Sequence, residues 1–318
     1  MYKIRTVKRS DIDNVIDSYE NNFGLQISKD QYDLTFITNQ DMMSHAAFDH
    51  NGYVLGHIGI YVGTLKGNNK KIGFRFSTFV DKQERGSGLY NKIMDEVLFS
   101  LKENNIPILY AWPNPINLVS CLKDNRYNPL PPQNTFEYRQ NINEVKLNTI
   151  KTNNFKLIRK ADMNEGLIIS ILDTYSKNFE SLQSYTHKSM KNRLIRNQKV
   201  KYCISIENSE VKALIGLKEL SKDSIYCAIH INDFAFDELI NSTSNLIKST
   251  FRDKKEIVFQ SWIHHENRNG IRNAIKSGFR ESIPIFNRGF YIVNNEDIKN
   301  TPLISCLSKS SMLDHDAF

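Results

Sequence analysis

The 318-residue sequence has few features of exported or membrane-spanning proteins. It contains only four cysteines, far apart, and no Cys-x-x-Cys pair that would indicate a zinc site or a disulfide framework. No apolar run is long enough to cross a bilayer, and residues 1–7 lack the apolar core of a signal peptide. We therefore expect a cytoplasmic protein with reduced thiols and no membrane partner.

The sequence also lacks a continuous basic tract. It carries 42 lysines and arginines against 35 acidic residues, for a net charge of +7. The basic residues of segment 188–201 alternate with polar and apolar ones, without an aromatic RNA-binding motif beside them. We interpret that segment as a solvated helix face and expect no nucleic-acid partner. The excess positive charge is compatible with an anionic small-molecule ligand.

The two halves of the chain share a pattern. Residues 7–12 lead into a segment that ends on Phe23, and residues 158–163 lead into a similar segment that ends on Phe179. Each half then has a turn followed by a strand with a central glycine, Gly56 or Gly216. This repeat indicates a duplication. The polar segment 144–154 separates the copies, so the predicted domains are residues 1–145 and 155–318.

The first copy is predicted to fold as an α/β sheet. Its pattern indicates strands at 44–49, 53–62 and 71–80, a helix at 87–104, a strand at 106–112, a short helix at 117–125 and a strand at 135–141. The long helix is marked by an apolar stripe that includes Leu89, Ile93 and Val97. A strand, a helix and a further strand in succession predict a parallel strand pair around that helix.

The segment 76–89 carries the clearest chemical signal. It consists of an apolar strand, a charged loop with Gly86 and Gly88, and the start of the long helix. The first turn of a helix has unpaired N–H groups that favour an anion, and the glycines let the backbone approach it closely. Gln83 and Arg85 add further donors. The segment therefore predicts a pyrophosphate site.

At these residues the sequence resembles the GNAT superfamily of N-acetyltransferases, whose signature is matched by Gln83-x-x-Gly86-x-Gly88. The resemblance implies two tandem GNAT-like domains. Each would have a mixed, largely antiparallel central sheet flanked by helices, with a splayed parallel strand pair at the cofactor site. It also implies acetyl-CoA as co-substrate, without a metal. The implied cofactor-binding residues are Phe79, Val80, Gln83, Glu84, Arg85, Gly86, Ser87, Gly88, Leu89 and Asn114.

The second copy matches the family at its end and departs from it at the cofactor loop. Residues 265–279, which end on Gly278 and Phe279, fit the GNAT pattern of a polar residue, a short helix and a Gly-Phe pair. The segment 229–239 stands at the motif position, and it has no glycine and several acidic side chains. Negative charge disfavours a pyrophosphate. We expect the second copy to serve as a scaffold or pocket wall.

Acetyl transfer to an amine requires a neutral amine, donors for the oxyanion and a proton for the leaving thiolate. Candidate bases are His57 and Asp81, with His45 as a further possibility. GNAT enzymes often place an acidic tyrosine on the helix after the fifth strand, but this sequence has Cys121 and Leu122 there. His264 and His265 point to opposite faces of a strand, so we do not predict a metal site.

The acceptor is suggested by a looser resemblance. Residues 112–115 and 313–318 are similar to bacterial tandem acetyltransferases associated with polysaccharide biosynthesis. This implies a small-molecule amine acceptor, namely an amino sugar or a nucleotide-linked amino sugar, with Arg75 and Trp112 flanking the cleft. Two alternatives remain open. The acceptor can be another amine (antibiotic, polyamine or protein), or the chain can be a catalytically silent protein that binds CoA or substrate.

Overall fold

The computed structural model describes residues 2–24, 27–37, 41–65, 70–145, 155–158, 162–178, 183–196, 200–263 and 267–294. The strands of this part are β1 (Lys3–Thr6), β2 (Met42–Phe48), β3 (Val54–Leu65), β4 (Lys71–Val80), β5 (Ile108–Ala111), β6 (Tyr127–Asn141), β7 (Lys156–Ile158), β8 (Gln183–Ser184), β9 (Lys201–Glu207), β10 (Glu210–Glu219), β11 (Ser224–Asn232), β12 (Glu256–Trp262) and β13 (Arg280–Ile292). Its helices are α1 (Ile12–Phe23), α2 (Lys29–Tyr32), α3 (Leu89–Glu103), α4 (Pro115–Lys123), α5 (Glu165–Asn178), α6 (His187–Arg196), α7 (Phe236–Thr250) and α8 (Arg268–Lys276).

The chain divides into two compact units that do not coincide with the two sequence copies. The first unit contains Met1–Pro131 together with the part of β13 from Asn287 onward, and the second contains Pro132–Phe286. The chain therefore passes from one unit to the other within β6 and returns within β13. The sequence pattern instead places the boundary in segment 144–154. The repeat shows where one copy ends, but it does not show which sheet the last strand of that copy joins.

The first unit is built on a sheet of order β1-β2-β3-β4-β5, followed by the end of β13. Its neighbours are antiparallel except β4 and β5, which run parallel over Gly73–Arg75 and Leu109–Ala111. Helix α3 packs its apolar stripe on one face of this sheet, and Ile93, Met94 and Val97 are fully buried there. Helices α1 and α2 contribute to a second apolar cluster, which includes Val15, Tyr32 and Phe79. Each such side chain stabilises the fold by about 1.5–3 kcal/mol through burial.

The second unit repeats this arrangement. Its sheet has the order β7-β9-β10-β11-β12, followed by the end of β6. The strands β11 and β12 are parallel over Ser224–Ala228 and Glu256–Gln260, and α7 connects them as α3 connects β4 and β5. Two apolar clusters accompany this sheet, one around Phe259 and Ile247 and the other around Ile168 and Leu194.

The predicted elements of the first copy are present, with ends that shift by a few residues, except that β6 begins at Tyr127, eight residues before the predicted start. The hairpins between β2 and β3 and between β9 and β10 also occur as predicted. Gly52, Asn208 and Ser209 have positive φ values of 85°, 50° and 66°, the left-handed conformation that tight hairpin turns require. The predicted fold class is confirmed: each unit has a mixed sheet with helices and one parallel strand pair. No helix in the described part of the chain is long and apolar enough to cross a membrane.

Candidate active site

The loop of residues 83–88, called here the 83–88 loop, joins β4 to α3. Asp81 begins it by accepting a hydrogen bond from the Gln83 N–H at 3.0 Å, which fixes a short 3-10 turn over Lys82–Glu84. Gly86 and Gly88 follow with φ values of 88° and 82°. A side chain at either position would be strained, since L residues rarely adopt this left-handed conformation. The two glycines are therefore required by the shape of the loop.

The loop and the first turn of α3 present unpaired backbone donors. Ser87 and Leu89 donate their N–H groups to Glu84 O and to Ser87 Oγ, respectively. No acceptor in the described part of the chain meets the other donors of this segment, the N–H groups of Arg85, Gly86, Gly88, Tyr90 and Asn91. Unpaired N–H groups at a helix N-terminus, combined with the helix dipole, bind phosphate groups. This geometry supports the anion site predicted from the sequence.

Beside the loop, β4 has an open edge. Its pairing with β5 ends at Arg75, whereas its pairing with β3 continues to Val80. Since main-chain groups alternate in direction along an antiparallel strand, those of Thr78 and Val80 point away from β3. The Val80 carbonyl indeed accepts a hydrogen bond from Arg85 Nε at 3.3 Å. The parallel pair is thus splayed, and the freed edge can bind an extended ligand in the manner of an added strand.

A bulge lies within this open edge. Between the pairs His57–Phe79 and Gly59–Phe76, β4 contains one more residue than β3. Ser77 adopts a positive φ of 49° at this point, a conformation uncommon for a residue with a side chain. The bulge redirects the main chain just where pairing with β5 has ended.

A cavity of about 560 Å³ connects the loop, the open strand edge and α4. Its lining residues are Asn22, Phe23, Thr78, Phe79, Val80, Glu84, Arg85, Gly86, Gly88, Leu89, Tyr90, Asn91, Asn114, Asn117, Ser120 and Lys123. The volume is in the range of small-molecule sites, and the walls combine apolar side chains with amides, hydroxyls and two cations. The predicted cofactor-binding residues therefore meet at one cavity, except Gln83 and Ser87, which belong to the loop but do not line it.

Helix α4 forms one wall of this cavity, and of this wall only Asn114 was predicted from the sequence. Asn114 caps this helix by accepting a hydrogen bond from the Asn117 N–H at 2.8 Å, and Pro115 occupies its first turn. Asn117, Ser120 and Lys123 follow at intervals of three residues and line the cavity. That spacing places them close to one helix face. This polar stripe is visible in the sequence and could have indicated that α4 lines the cavity.

Arg75 does not line the cavity, although the sequence placed it beside the cleft. Its side chain is 5% exposed and lies behind Tyr90. One guanidinium nitrogen donates to the Tyr90 hydroxyl, and the other lies 3.4 Å from Cys121 Sγ. The Tyr90 hydroxyl is also 3.2 Å from that of Tyr291. This set, called here the Arg75 cluster, unites residues from β4, α3, α4 and β13.

The tyrosines of this cluster are poor acids in their resting state. Burial raises the pKa of Tyr90 to about 12, although the nearby Arg75 charge lowers it. Burial also raises the pKa of Tyr291. Both phenols are therefore protonated at neutral pH.

His57 lies away from the cavity. It is fully buried, and its Nδ1 is 2.9 Å from the Ser77 carbonyl. That carbonyl can only accept, so Nδ1 carries the proton, and Nε2 accepts from the Tyr32 hydroxyl at 3.0 Å. Burial lowers the pKa of His57 to about 4. A histidine with both nitrogens engaged inside an aromatic cluster supports the Ser77 bulge and is not placed to accept a proton from an amine.

The other predicted catalytic and substrate residues also lie outside the cavity lining. Asp81 accepts hydrogen bonds from the Gln83 N–H and, at 3.2 Å, from the Tyr53 hydroxyl, so it fixes the loop. His45 is 2% exposed, and burial lowers its pKa to about 4. Trp112 stacks on Phe74, with ring centres 5.8 Å apart. The pair His264–His265 and segment 313–318 lie outside the described residues.

The corresponding place in the second unit differs. There β11 ends at Asn232 and α7 begins at Phe236, with Asp237 and Glu238 in its first turn. Acidic side chains at a helix N-terminus occupy the position where a phosphate would bind and repel it. Phe236 packs against Phe279 at 4.9 Å, so part of this region is filled by aromatic rings.

Comparison with known proteins shows likeness in fold. No family model and no curated protein matches the sequence. A conserved protein from Enterococcus faecalis, described as a probable N-acyltransferase, is 12% identical with a TM-score of 0.65, covering 92% of this chain and 73% of that one. A tandem GNAT protein from the clavulanic acid biosynthesis pathway is 7% identical with a TM-score of 0.57, covering 92% and 99%. A glucosamine N-acetyltransferase region of a fungal β-N-acetylglucosaminidase is 12% identical with a TM-score of 0.60, covering 92% and 38%.

Proposed function

We propose that this chain, which has the fold of GNAT N-acetyltransferases in their tandem form, is an acyl-CoA-dependent N-acetyltransferase that acetylates a primary amine. One observation carries the proposal. The unpaired N–H groups of the 83–88 loop and the open edge of β4 border a single cavity of about 560 Å³. A ligand with a pyrophosphate and an extended amide arm matches both features.

Different residues of the first unit would bind different parts of acetyl-CoA. The N–H groups around Gly86 and Gly88 would hold the pyrophosphate, with Arg85 and Lys123 supplying positive charge. The main-chain groups of Thr78 and Val80 would pair with the amides of the pantetheine arm. In this arrangement the thioester would lie toward the Ser77 bulge, where an amine could attack it directly in a ternary complex.

For the acceptor we propose an amino sugar or a nucleotide-linked amino sugar. Asn22 and Asn117 line the cavity with amides that can donate to and accept from sugar hydroxyls. Phe23, which is 39% exposed, offers an apolar face on which a sugar ring can pack. The fold likeness to a glucosamine N-acetyltransferase region agrees with this choice. Arg75 and Trp112 have no direct part in this acceptor site, because neither lines the cavity.

The second unit would bind no acetyl-CoA and serve as a scaffold. Its helix α7 has two acidic residues in its first turn, whereas α3 follows the glycine loop and has none there. Calorimetry with acetyl-CoA is therefore expected to give one site per chain.

The experiment that tests the cofactor is titration of acetyl-CoA into the wild type and the Gly86→Asp, Gly88→Asp double variant. Two carboxylates about 4 Å from a pyrophosphate each cost about 1–4 kcal/mol. Binding should therefore weaken by more than about 100-fold. Failure of the wild type to bind acetyl-CoA would contradict the proposed function.

A matched control separates charge from backbone strain. The Gly86→Asn, Gly88→Asn double variant has side chains of the same shape, and asparagine tolerates the left-handed conformation about as well as aspartate. We expect it to keep acetyl-CoA affinity within about 10-fold of the wild type, because no negative charge is added. Circular dichroism verifies that both variants remain folded.

The acceptor is tested by thiol release from acetyl-CoA with a panel of amines. The panel contains glucosamine, a nucleotide-linked amino sugar, an aminoglycoside and a polyamine. We expect the sugar amines to give the highest kcat/KM. Turnover confined to the polyamine or the aminoglycoside would overturn the acceptor assignment and leave the acetyltransferase assignment in place.

A further inference from the structure

The second unit contains a cavity of about 550 Å³ that the proposed function does not use. It lies between helix α5 and the turn that joins β9 to β10, and Asp233, just after β11, also lines it. The Ser170 hydroxyl donates to the Ser209 carbonyl of that turn at 3.0 Å, so one face of α5 is turned toward it. The lining residues of α5 follow this face at helical spacing, namely Gly166, Ile169, Ser170, Asp173 and Thr174. We call this space the Asp173 cavity.

The lining of the Asp173 cavity is acidic, although the whole chain has a net charge of +7. It contains three carboxylates and one ammonium group, those of Asp173, Glu210, Asp233 and Lys212. Lys212 Nζ donates to both Glu210 and Asp233, at 3.0 Å each. Asp173 has no hydrogen bond or ion pair from its carboxylate within the described part of the chain. The lining therefore carries two excess negative charges, which attract a cation.

Thr174 is a second, independent indication of a ligand. It is only 6% exposed, and its hydroxyl has no hydrogen-bond partner among the described residues. Buried hydroxyls are normally bonded to protein, water or ligand, because an unmade hydrogen bond is costly. Thr174 follows Ser170 by one turn on the lining face of α5, so its side chain faces the cavity. An ammonium group bound there can donate the missing hydrogen bond.

The first unit shows why this space is open in the second. Tyr53 and Glu210 are at equivalent positions, because each stands two residues before the carbonyl that accepts from the Asp81 or the Asp233 N–H, at 2.8 Å in both units. The Tyr53 hydroxyl donates to the Asp81 carboxylate at 3.2 Å, so its ring spans the space between hairpin and carboxylate. Glu210 has no ring and instead accepts from Lys212. The change from tyrosine to glutamate thus removes a ring and adds a negative charge.

We propose that the Asp173 cavity binds a small organic ammonium ion. The ammonium group would pair with Asp173 and donate to the Thr174 hydroxyl, as Lys212 already pairs with Glu210 and Asp233 in the same lining. An organic cation is favoured over a metal ion, because the described residues include no group of three or more His, Cys, Asp or Glu side chains that could hold a metal. The proposal goes beyond the proposed function, since this cavity shares no residue with the acetyl-CoA cavity.

The experiment measures amine binding to the full-length chain by calorimetry, without acetyl-CoA. The probes are putrescine, which has two ammonium groups, glucosamine, which has one beside its hydroxyls, and the uncharged 1,4-butanediol. We expect an amine to bind with a Kd of about 1 mM or lower and the diol at least about 10-fold more weakly, because the lining selects for positive charge. The tighter amine identifies the source of the ammonium group as a polyamine or an amino sugar.

The two contacts are tested by Asp173→Asn and Thr174→Val. Each should weaken binding of the tighter amine by about 5-fold, as expected for one ion pair or one hydrogen bond. The matched controls are Asp17→Asn and Ser18→Ala in the first copy, where these residues stand as far before Phe23 as Asp173 and Thr174 stand before Phe179. Neither control residue lines the Asp173 cavity, and the Ser18 hydroxyl is fully enclosed. The controls should bind within about 2-fold of the wild type.

The outcomes decide the proposal independently of acetyl transfer. A wild type that binds neither amine up to about 10 mM overturns it. Amine binding that is unchanged in both cavity variants also overturns it, because the amine would then bind elsewhere, for example at the acceptor site. Circular dichroism verifies folding, and Thr174→Val still decides if Asp173→Asn does not fold. A chain that binds an amine in this cavity but no acetyl-CoA would contradict the proposed function alone.

Discussion

His57 illustrates how burial changes the role that a side chain can have. On the sequence it is a candidate base, whereas in the fold its Nδ1–H holds the Ser77 carbonyl and its Nε2 accepts from Tyr32. A neutral imidazole is required for this pair of bonds, because a protonated ring has no acceptor. The pKa of about 4 keeps the ring neutral through the physiological range. The same holds for His45, whose pKa burial also lowers to about 4.

These two histidines predict a pH-dependent stability. In the unfolded chain they take up protons below a pKa near 6.5, but in the folded protein only near 4. The unfolded state therefore binds more protons between these values, and stability is lost as the pH falls from about 6.5 to about 4. Each histidine can contribute up to about 3 kcal/mol of this loss. Urea unfolding at pH 7.5, 6 and 5 measures the change.

The His57→Asn variant is the matched test of this effect. The asparagine Nδ2–H can replace the hydrogen bond to the Ser77 carbonyl, but the side chain does not titrate. The free energy of unfolding should therefore fall less steeply as the pH is lowered, because unfolding takes up about one proton fewer than in the wild type. His57→Gln places its donor one atom farther out and should be less stable at every pH. A wild type whose stability is flat between pH 7.5 and 5 would contradict the neutral buried state of both histidines.

At the residue scale, a residue can be predicted from the sequence where the backbone conformation itself requires that residue type. Gly86 and Gly88 are needed for a left-handed loop, and that need is visible in a local pattern. The Arg75 cluster could not be predicted in this way. The contacts among Arg75, Tyr90, Cys121 and Tyr291 join residues that are 15 to 201 positions apart, and only the tertiary fold brings them together.

At the scale of elements, α4 and α8 form a natural pair. Both are helices of nine residues that an asparagine caps. Asn114 accepts from the Asn117 N–H at 2.8 Å, and Asn267 accepts from the Gly270 N–H at 2.9 Å. Asn114 lines the cavity of the first unit, whereas Asn267 belongs to the second unit. Comparing substitutions at Asn114 and Asn267 therefore distinguishes the effect of losing a helix cap from the effect of losing a cavity side chain.

We expect Asn114→Ala and Asn267→Ala each to lower the free energy of unfolding by about 1 kcal/mol, the usual cost of losing an N-cap. Asn114→Ala should also weaken acetyl-CoA binding by about 5-fold, because one cavity amide is lost. Denaturant unfolding and calorimetry measure the two effects. If both variants bind acetyl-CoA like the wild type, Asn114 acts only as a cap.

The elements themselves were largely predictable. The apolar stripe of α3 and the alternating strands β2 to β4 follow from periodicity, and the structure places them within a few residues of the predicted ends. The splay of β4 from β5 followed from the family resemblance and not from periodicity. The bulge at Ser77 was missed, since a serine in an apolar strand gives no local signal of a positive φ.

At the scale of the whole molecule, each sequence copy contributes the end of its last strand to the sheet of the other compact unit. The end of β13 pairs with β5 over Gly289–Ile292 and Ile108–Ala111, so the first unit contains a strand from the second copy. The end of β6 pairs with β12 over Thr135–Asn141 and Glu256–Trp262 in the second unit. No local sequence pattern specifies such pairings, because they depend on contacts between distant segments.

This exchange predicts how fragments behave. A fragment of residues 1–145 lacks the strand that covers β5 and should aggregate, because an apolar sheet edge is left open. Coexpression with residues 155–318 should restore a soluble pair, detected by size-exclusion chromatography and near-ultraviolet circular dichroism. As the control, the full-length chain cut at a protease site placed between residues 146 and 154 should remain a single species. A folded, monomeric 1–145 fragment would contradict the exchange.

The return of β13 to the first unit also sets the order of events during synthesis. The sheet of that unit lacks its last strand until residues 289–292 have left the ribosome, about 160 residues after the rest of the unit. At about 5–20 residues per second this corresponds to roughly 8–30 s. During this interval the edge of β5 is open on the nascent chain, which makes it a site where a chaperone would bind. The side chain of Tyr90, which lines the cavity, gains its contact with Tyr291 only after this late segment has been made.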